Sequence, residues 1–345
     1  MSSIMNVEVK SGSVRTSVSS VLQYFKSVVP AALLLSVSVL GLGSTNALAQ
    51  NREVKALDRP SVVPTGKLTI LPGMGEGEQH EAQPEGAPKT TLNYPYGLAV
   101  DSTGNLYVAN IFGGVTMYAS KGLKYKGEIT AGTAYPAAVA IAFGGNIYVA
   151  NNGGNNVTIY NPSLQQVGTI TDSSLNNPLS MYIDAANDVW VLDAAGTLHL
   201  YLDNGTPVGS VATGGGTAVG PWGPNVTVWG IPDGSGGYNE DYQNVGEALH
   251  YGPALPYYFP GGSPEAGGEA EDSLDQQYVT DVAHNQIQIW SASGLEEVAL
   301  ITTPSTPYGI AVDSVNKRIF VALTTSNEVL VYSTVAPYKL MATIH

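Results

Sequence analysis

A block of about 42 residues returns along this chain, and that period limits the fold more than any single residue does. Pro95-Tyr96-Gly97-Leu98-Ala99-Val100-Asp101 leads to Asn105-Leu106-Tyr107-Val108-Ala109-Asn110, then to Val115-Thr116-Met117-Tyr118. A second block opens at Pro136, continues through Asn146-Ile147-Tyr148-Val149-Ala150-Asn151 and closes on Asn156-Val157-Thr158-Ile159-Tyr160. Another runs from Pro307 to Asp313, then through Arg318-Ile319-Phe320-Val321-Ala322 to Val329-Leu330-Val331-Tyr332. The aromatic that closes a block falls at Tyr118, Tyr160, Tyr201, Trp290 and Tyr332, with gaps of 42, 41, 89 and 42 residues. The gap of 89 reads as two periods plus a small insertion. Short alternating strands at this period predict an all-β chain built as a β-propeller.

Each block explains itself locally. Its runs are rich in β-branched and aromatic residues, Gly or Asn bounds them, and no 3.6-residue period appears. A fourth run follows each aromatic: Lys126 to Thr130, Val167 to Thr171, Pro207 to Val211. A lone four-stranded sheet cannot cover both faces, whereas radial packing covers them and leaves short edges. Gly104-Asn105 suits a tight hairpin that needs a positive φ. Six four-stranded blades are expected. Five and seven remain open, because the fourth block is read from spacing alone.

Residues 1–49 read as a signal peptide. Lys10, Arg15 and Lys26 form a basic region, residues 28–42 are apolar, and Ala47-Leu48-Ala49 offers a small-residue cleavage site. The apolar stretch is short for a membrane span, so no span is expected after cleavage, and the mature protein is placed in the periplasm or outside the cell. A retained N-terminal anchor is the alternative. Residues 50–66 read as linker and 67–345 as the propeller. Lys67-Leu68-Thr69-Ile70-Leu71 and residues 338–344 compete as the outer strand that closes the ring.

Charge narrows the partners. The chain carries 28 Asp and Glu against 14 Lys and Arg, a net charge of −14, which argues against nucleic acid or an anionic membrane surface as partner. It has no cysteine, so thiol chemistry and disulfides are excluded. The least regular stretch, residues 231–277, holds nine acids and no Lys or Arg. Its Tyr238, Tyr242, Tyr251, Tyr257 and Tyr258 are the candidate ligand-binding residues, because tyrosines with carboxylates suit sugars, cationic groups or a hard metal ion. A solvated insertion whose tyrosines cover the ring is the competing reading. Aligning blocks backwards from Asp281 lays Gly268-Glu269-Ala270-Glu271-Asp272 over Gly97-Leu98-Ala99-Val100-Asp101. Glu269 and Glu271 would then replace apolar residues of an innermost strand and could hold a divalent cation, calcium or magnesium. The alternative is that this strand is misaligned and both acids lie in a loop. Asn110, Asn151, Asp193 and Asp281 recur at one position, which points to turn capping rather than chemistry. His284 is read as a turn residue of the same kind.

The motif Pro-x-Gly-Leu-Ala-Val-Asp, Gly-Asn-Leu-Tyr-Val-Ala-Asn, Asn-x-Val-x-Val-Tyr resembles the NHL-repeat family of propellers, of the exported bacterial type. The resemblance covers residues 92–345 and implies a propeller, without fixing a function. Lactonase-like propellers place an Asn before Gly-Leu in an inner strand, where this chain has Tyr96-Gly97-Leu98 and Tyr308-Gly309-Ile310. Lyase-like propellers use His and Glu around a metal, and His199, His250 and His284 match no such motif. The expected function is therefore a non-catalytic binding or scaffold protein for a protein or carbohydrate ligand, acting as a monomer. A metal-dependent hydrolase or lyase working at the central channel is the alternative.

Overall fold

The computed structural model describes residues 91–222, 225–232, 238–244, 266–292 and 296–345. The expected signal peptide, the 50–66 linker and the strand-like 67–71 lie outside these residues. Among the described residues no helix is long and apolar enough to cross a membrane.

The first blade contains β1 (Pro95–Val100), β2 (Leu106–Asn110), β3 (Val115–Tyr118) and β4 (Tyr125–Ile129). The second contains β5 (Pro136–Ile141), β6 (Ile147–Asn151), β7 (Asn156–Tyr160) and β8 (Gln166–Thr171). The third contains β9 (Pro178–Ile183), β10 (Val189–Asp193), β11 (Thr197–Tyr201) and β12 (Pro207–Ala212). A three-stranded sheet follows, with β13 (Ala218–Trp222), β14 (Asn225–Pro232) and β15 (Tyr238–Asn244). The penultimate blade contains β16 (Ala266–Glu271), β17 (Gln277–Asp281), β18 (Gln286–Trp290) and β19 (Glu297–Thr302). The last contains β20 (Pro307–Asp313), β21 (Arg318–Leu323), β22 (Glu328–Ser333) and β23 (Leu340–Ile344).

The chain is thus an all-β propeller of antiparallel four-stranded blades. Five such blades form, which corrects the expectation of six. The remaining sheet has three strands among the described residues. Its physical reason is visible in residues 231–277, whose Gly, Pro and acids supply few alternating apolar positions. The same stretch is not wholly irregular, because β15 and the inner strand β16 both lie within it.

Proline opens the inner strand in four blades, at Pro95, Pro136, Pro178 and Pro307, where a missing N–H at a strand's first residue costs little. A bulge follows at the same place in all five four-stranded blades, between β1 and β2, β5 and β6, β9 and β10, β16 and β17, and β20 and β21. The recurring aromatic has its own geometric role. Tyr118, Tyr160, Tyr201, Trp290 and Tyr332 each sit at a second bulge, where the third strand pairs with the fourth, and all are buried.

The core is distributed between the sheets. Leu98, Leu106 and Val108 of the first blade meet Phe320, Val329 and Val331 of the last, and similar clusters fill the other seams. The seam between the three-stranded sheet and the penultimate blade is thinnest, with Ala218, Ala266, Val279 and Trp290 among the described residues.

The ring closes by side-chain clasps between the first and last blades. Of the two competing outer strands, residues 338–344 supply one, as β23 pairs with β22. Buried Arg318 donates to Ser120 O (2.7 Å), Gly104 O (3.2 Å) and its own blade's Asp313, and its guanidinium lies 5.2 Å over the Phe320 ring. At the other end Tyr94 N donates to Asn327 Oδ1 at 2.6 Å, and Thr324 Oγ1 donates to Pro95 O at 2.6 Å.

Candidate functional site

Inner strands all run the same way, so the loops that lead into them and the turns joining second to third strands share one end of the ring, here called the upper face. The recurring Asn and Asp hold those loops. Asn110 Oδ1 accepts from Asn93 N at 3.0 Å, Asn151 Oδ1 from Ala134 N at 3.0 Å, and Asp193 Oδ2 from Asn176 N at 3.1 Å. Their other contacts stay local: Asn110 Nδ2 reaches Thr116 and Asn151 Nδ2 reaches Thr158, while Asp193 Oδ2 meets His199 Nε2 at 3.0 Å. The turn capping expected from their repetition is made by Asp193, whose Oδ1 accepts from Ala195 N and Thr197 N, and by Asp281, whose Oδ1 accepts from His284 N, while the bonds across 17 residues add a tie to the preceding loop.

The held loops carry aromatics. Tyr94 and Tyr135, each just before an inner-strand proline, adopt φ of 58° and 50°, a conformation rare for bulky residues. Tyr94 meets Phe112 edge-on at 5.0 Å, and Phe112 meets Tyr135 edge-on at 6.1 Å. Behind this row Tyr96 and Tyr308 stack at 4.9 Å, buried with Ile111, Ala137 and Leu179. An aromatic row thus crosses the boundary of the first two blades beside an apolar plug.

Below the plug lies a central cavity of about 50 Å³, lined by inner-strand residues of all six sheets. Glycine makes it narrow. A Cβ on Gly97 would lie 2.5 Å from Ala137 O, and one on Gly309 would lie 2.0 Å from Tyr96 O, so neighbouring inner strands touch backbone to backbone. Space for a few waters remains, against roughly 300 Å³ or more for ordinary ligand pockets.

One carboxylate lines that cavity. Glu269 pairs with Val279 across β16 and β17, as Leu98 pairs with Val108 and Ile310 with Val321. The alignment that laid Glu269 over Leu98 is correct, and the reading that placed both acids in a loop is not. Glu269 is buried and packs on Gly220, where a Cβ would come within 2.7 Å of its Oε2. Glu271 accepts from Gln277 Nε2 at 2.7 Å. Burial first, then the negative charges of Asp184, Glu271 and Glu269, push the Tyr182 hydroxyl up to about 12. Among the described residues no group of three His, Asp or Glu side chains is arranged to hold a metal ion.

Of the tyrosines singled out in the sequence, Tyr238 opens β15 opposite Pro232, at the upper end of its sheet, and Tyr242 lies opposite Thr227 farther down. Tyr251, Tyr257 and Tyr258 lie outside the described residues. His284 Nδ1 meets buried Asp281 Oδ2 at 2.7 Å while the rest of its ring faces solvent, which fits the turn role. Sequence reasoning missed Tyr94, Phe112 and Tyr135. Their signal was weak, since single aromatics in loops look like any other turn residue.

It also missed a second repeated device at the lower face. Asp101, Asp184 and Asp272 end inner strands, and each caps the next hairpin with one oxygen. The other oxygen takes an aromatic donor of the second strand: Tyr107 at 3.2 Å, Trp190 Nε1 at 2.9 Å and Tyr278 at 3.1 Å. In the first blade Gly104 has a φ of 81°, as its turn position required.

Comparison with known proteins places the fold. Hydrazine synthase from Kuenenia stuttgartiensis is similar over 74% of this chain and 99% of its own, at 16% identity and a TM-score of 0.54. A streptogramin B lyase is similar over 75% of this chain and 85% of its own, at 13% identity and a TM-score of 0.53. Virginiamycin B lyase from Staphylococcus aureus is similar over 72% and 83%, at 12% identity and a TM-score of 0.50. At these identities the likeness carries the propeller fold alone. No family model matches the chain, and no curated protein matches it.

Proposed function

We propose that this chain is an exported, NHL-type propeller that binds a carbohydrate or protein ligand on its upper face without catalysing a reaction. The carrying observation is the contrast between a cavity of about 50 Å³ and the aromatic row above it. The narrow cavity and the aromatic row over its mouth together support recognition at that face. There Phe112 and Tyr135 present rigid rings beside Asn-rich turns, and such rings supply contact area at low entropic cost. Tyr238 stands at the same end of the ring by its register. Export and cleavage after Ala49 belong to this proposal, and N-terminal sequencing of secreted protein tests them.

A screen of the purified full chain against a glycan panel is the direct test of the ligand. Phe112→Ala and Tyr135→Ala should each weaken capture about tenfold, the worth of a stacked ring. Undiminished capture by both variants would move the site elsewhere.

One observation favours a metal-dependent hydrolase or lyase instead. Glu269 occupies the channel position that holds Leu98, Val139, Met181 and Ile310 in other blades, so an ionisable group lines the channel where the other blades are apolar. Metal analysis of the chain beside Glu269→Gln and Glu271→Gln discriminates the two. Stoichiometric calcium or magnesium that is lost in either variant would overturn the binding-only reading.

A further inference from the structure

The molecule is strongly acidic, yet within residues 91–345 its cations are not scattered. Residues 91–345 contain six: Lys121, Lys124, Lys126, Lys317, Arg318 and Lys339. All six belong to the first and last blades, which are neighbours in the closed ring. All six also sit at the lower face. Lys121 and Lys124 lie in the turn between β3 and β4, Lys126 near the start of β4, Lys317 and Arg318 at the β20–β21 turn, and Lys339 in the turn before β23. Arg318 is buried as the clasp, and the five lysines are exposed.

The two turns are physically continuous. Arg318 and Asn316 of the last blade both reach Ser120 of the first, at 3.1 and 3.2 Å, which seats the Lys317 turn against the Lys121 turn. The acids of these two blades are elsewhere or occupied. Glu128 accepts from Gly114 N at the upper end, Glu328 opens β22 at that same end, Asp313 is buried against Arg318, and Asp101 caps its hairpin. Among the described residues none of the five lysines forms an ion pair.

Apolar side chains rise among the lysines. Val315, Val335, Leu340, Met341 and Tyr125 are at least half exposed, and they account for five of the eleven large hydrophobics exposed in the described chain. Tyr125 rests edge-on against Tyr118 at 6.2 Å, so the patch has a fixed base. These apolar residues lie at separate turn tips and strand ends, interspersed with lysines that form no ion pair among the described residues. Apolar tips on separate turns suit a deformable apolar medium, whereas a folded partner would have to supply a pocket for each one. Lysine stems lie along such a surface and keep their charge at headgroup depth.

We propose that the lower face of the first and last blades is a docking surface for an anionic lipid bilayer. Net charge does not oppose this. Screening acts over about 8 Å at physiological salt, so a surface responds mainly to the charges facing it: the five lysines, set against Asp272, Asp275, Glu296 and Glu297 in the lower turns of the neighbouring penultimate blade, whose Ser273 N donates to Ser314 Oγ at 2.9 Å.

Sedimentation of the full chain with vesicles tests the proposal. One set is phosphatidylcholine alone, which reports binding that needs no lipid charge. The other contains roughly three parts in ten phosphatidylglycerol, and should bind more tightly by a margin that shrinks between about 0.1 and about 0.5 M salt. Lys121→Gln/Lys124→Gln/Lys317→Gln should remove about a hundredfold in partitioning onto the anionic set, near fivefold for each lysine. Val315→Ser/Met341→Ser should remove about tenfold while leaving the thermal midpoint unchanged. Equal binding to both vesicle sets, or a charge variant that binds as the wild type does, would overturn the proposal. Binding to duplex DNA that matches the anionic vesicles and ignores Val315→Ser/Met341→Ser would overturn it too, because the surface would then read polyanions.

Discussion

At the scale of single residues, one arginine does the most for the ring. Arg318 is buried with Asp313 and donates to two turns of the first blade, so Arg318→Ala leaves an uncompensated carboxylate and unclasps the closure. We expect a loss of about 3–5 kcal/mol in urea unfolding. A loss below about 1 kcal/mol would mean that the clasp is not what closes the ring. The Asp turns make stability depend on acid. In Asp101 burial favours the neutral form, but bonds from Thr103 and Asn105 outweigh it and hold the carboxyl below its ordinary value. Asp313 behaves alike, with burial opposed by Arg318 and Asn316. A carboxyl whose folded pKa is depressed takes up its proton more readily when unfolded. Its stabilisation is therefore complete above about pH 4 and is lost as pH falls through the lower folded value. The urea midpoint should drop below about pH 4, and less steeply in Asp101→Asn, whose amide keeps part of the turn. An identical acid profile in the variant would remove Asp101 from the account.

At the scale of elements, the inner strands show where local pattern and close packing part company. Gly97 and Gly309 look like ordinary turn-rich glycines in the sequence, yet each lets its strand press on a neighbouring backbone. Gly309→Ala should cost about 3 kcal/mol, since a Cβ 2.0 Å from Tyr96 O has no flexible side chain to displace. Gly144, with nothing within 4 Å of its would-be Cβ, is the control, and Gly144→Ala should stay within about 0.5 kcal/mol of wild type. Equal effects at both sites would contradict the close approach. Second and third strands such as β2 and β3 were legible because their β-branched and aromatic runs are short, bounded and repeated. β15 was not, because Tyr238–Asn244 carries Asn, Glu and Asp where other third strands carry Val, Ile and Leu. β16 was legible only by counting from β17, since its Gly and Glu have no strand propensity of their own.

At the scale of the whole molecule, six seams close one ring, and unfolding should be a single transition seen alike by circular dichroism and by the fluorescence of buried Trp190 and Trp290. The seams are not equal. At the seam with the three-stranded sheet, the described apolar contacts are Ala218, Ala266, Val279 and Trp290, and Gly220 of β13 packs on the Glu269 carboxylate rather than on an apolar side chain. Hydrogen exchange should therefore open β16 before β1, which sits between two fuller clusters. Protection in β16 as high as in β1 would show that the thin seam is not a weak one.

The sequence by itself determined the blade. Period, strand runs, closing aromatics and capping Asn and Asp all act within about 42 residues, where chain connectivity already brings the groups together. Tertiary structure alone decided the rest, because those contacts join residues far apart in the chain. Arg318 reaches Ser120 across 198 residues and Tyr94 reaches Asn327 across 233, and no local pattern marks either pair. The direction of Glu269 into the channel, the aromatic row of Tyr94, Phe112 and Tyr135, and the gathering of the described lysines on one face likewise depend on which sheets become neighbours. Ring closure makes the first blade the neighbour of the last, and only then do scattered lysines become a surface.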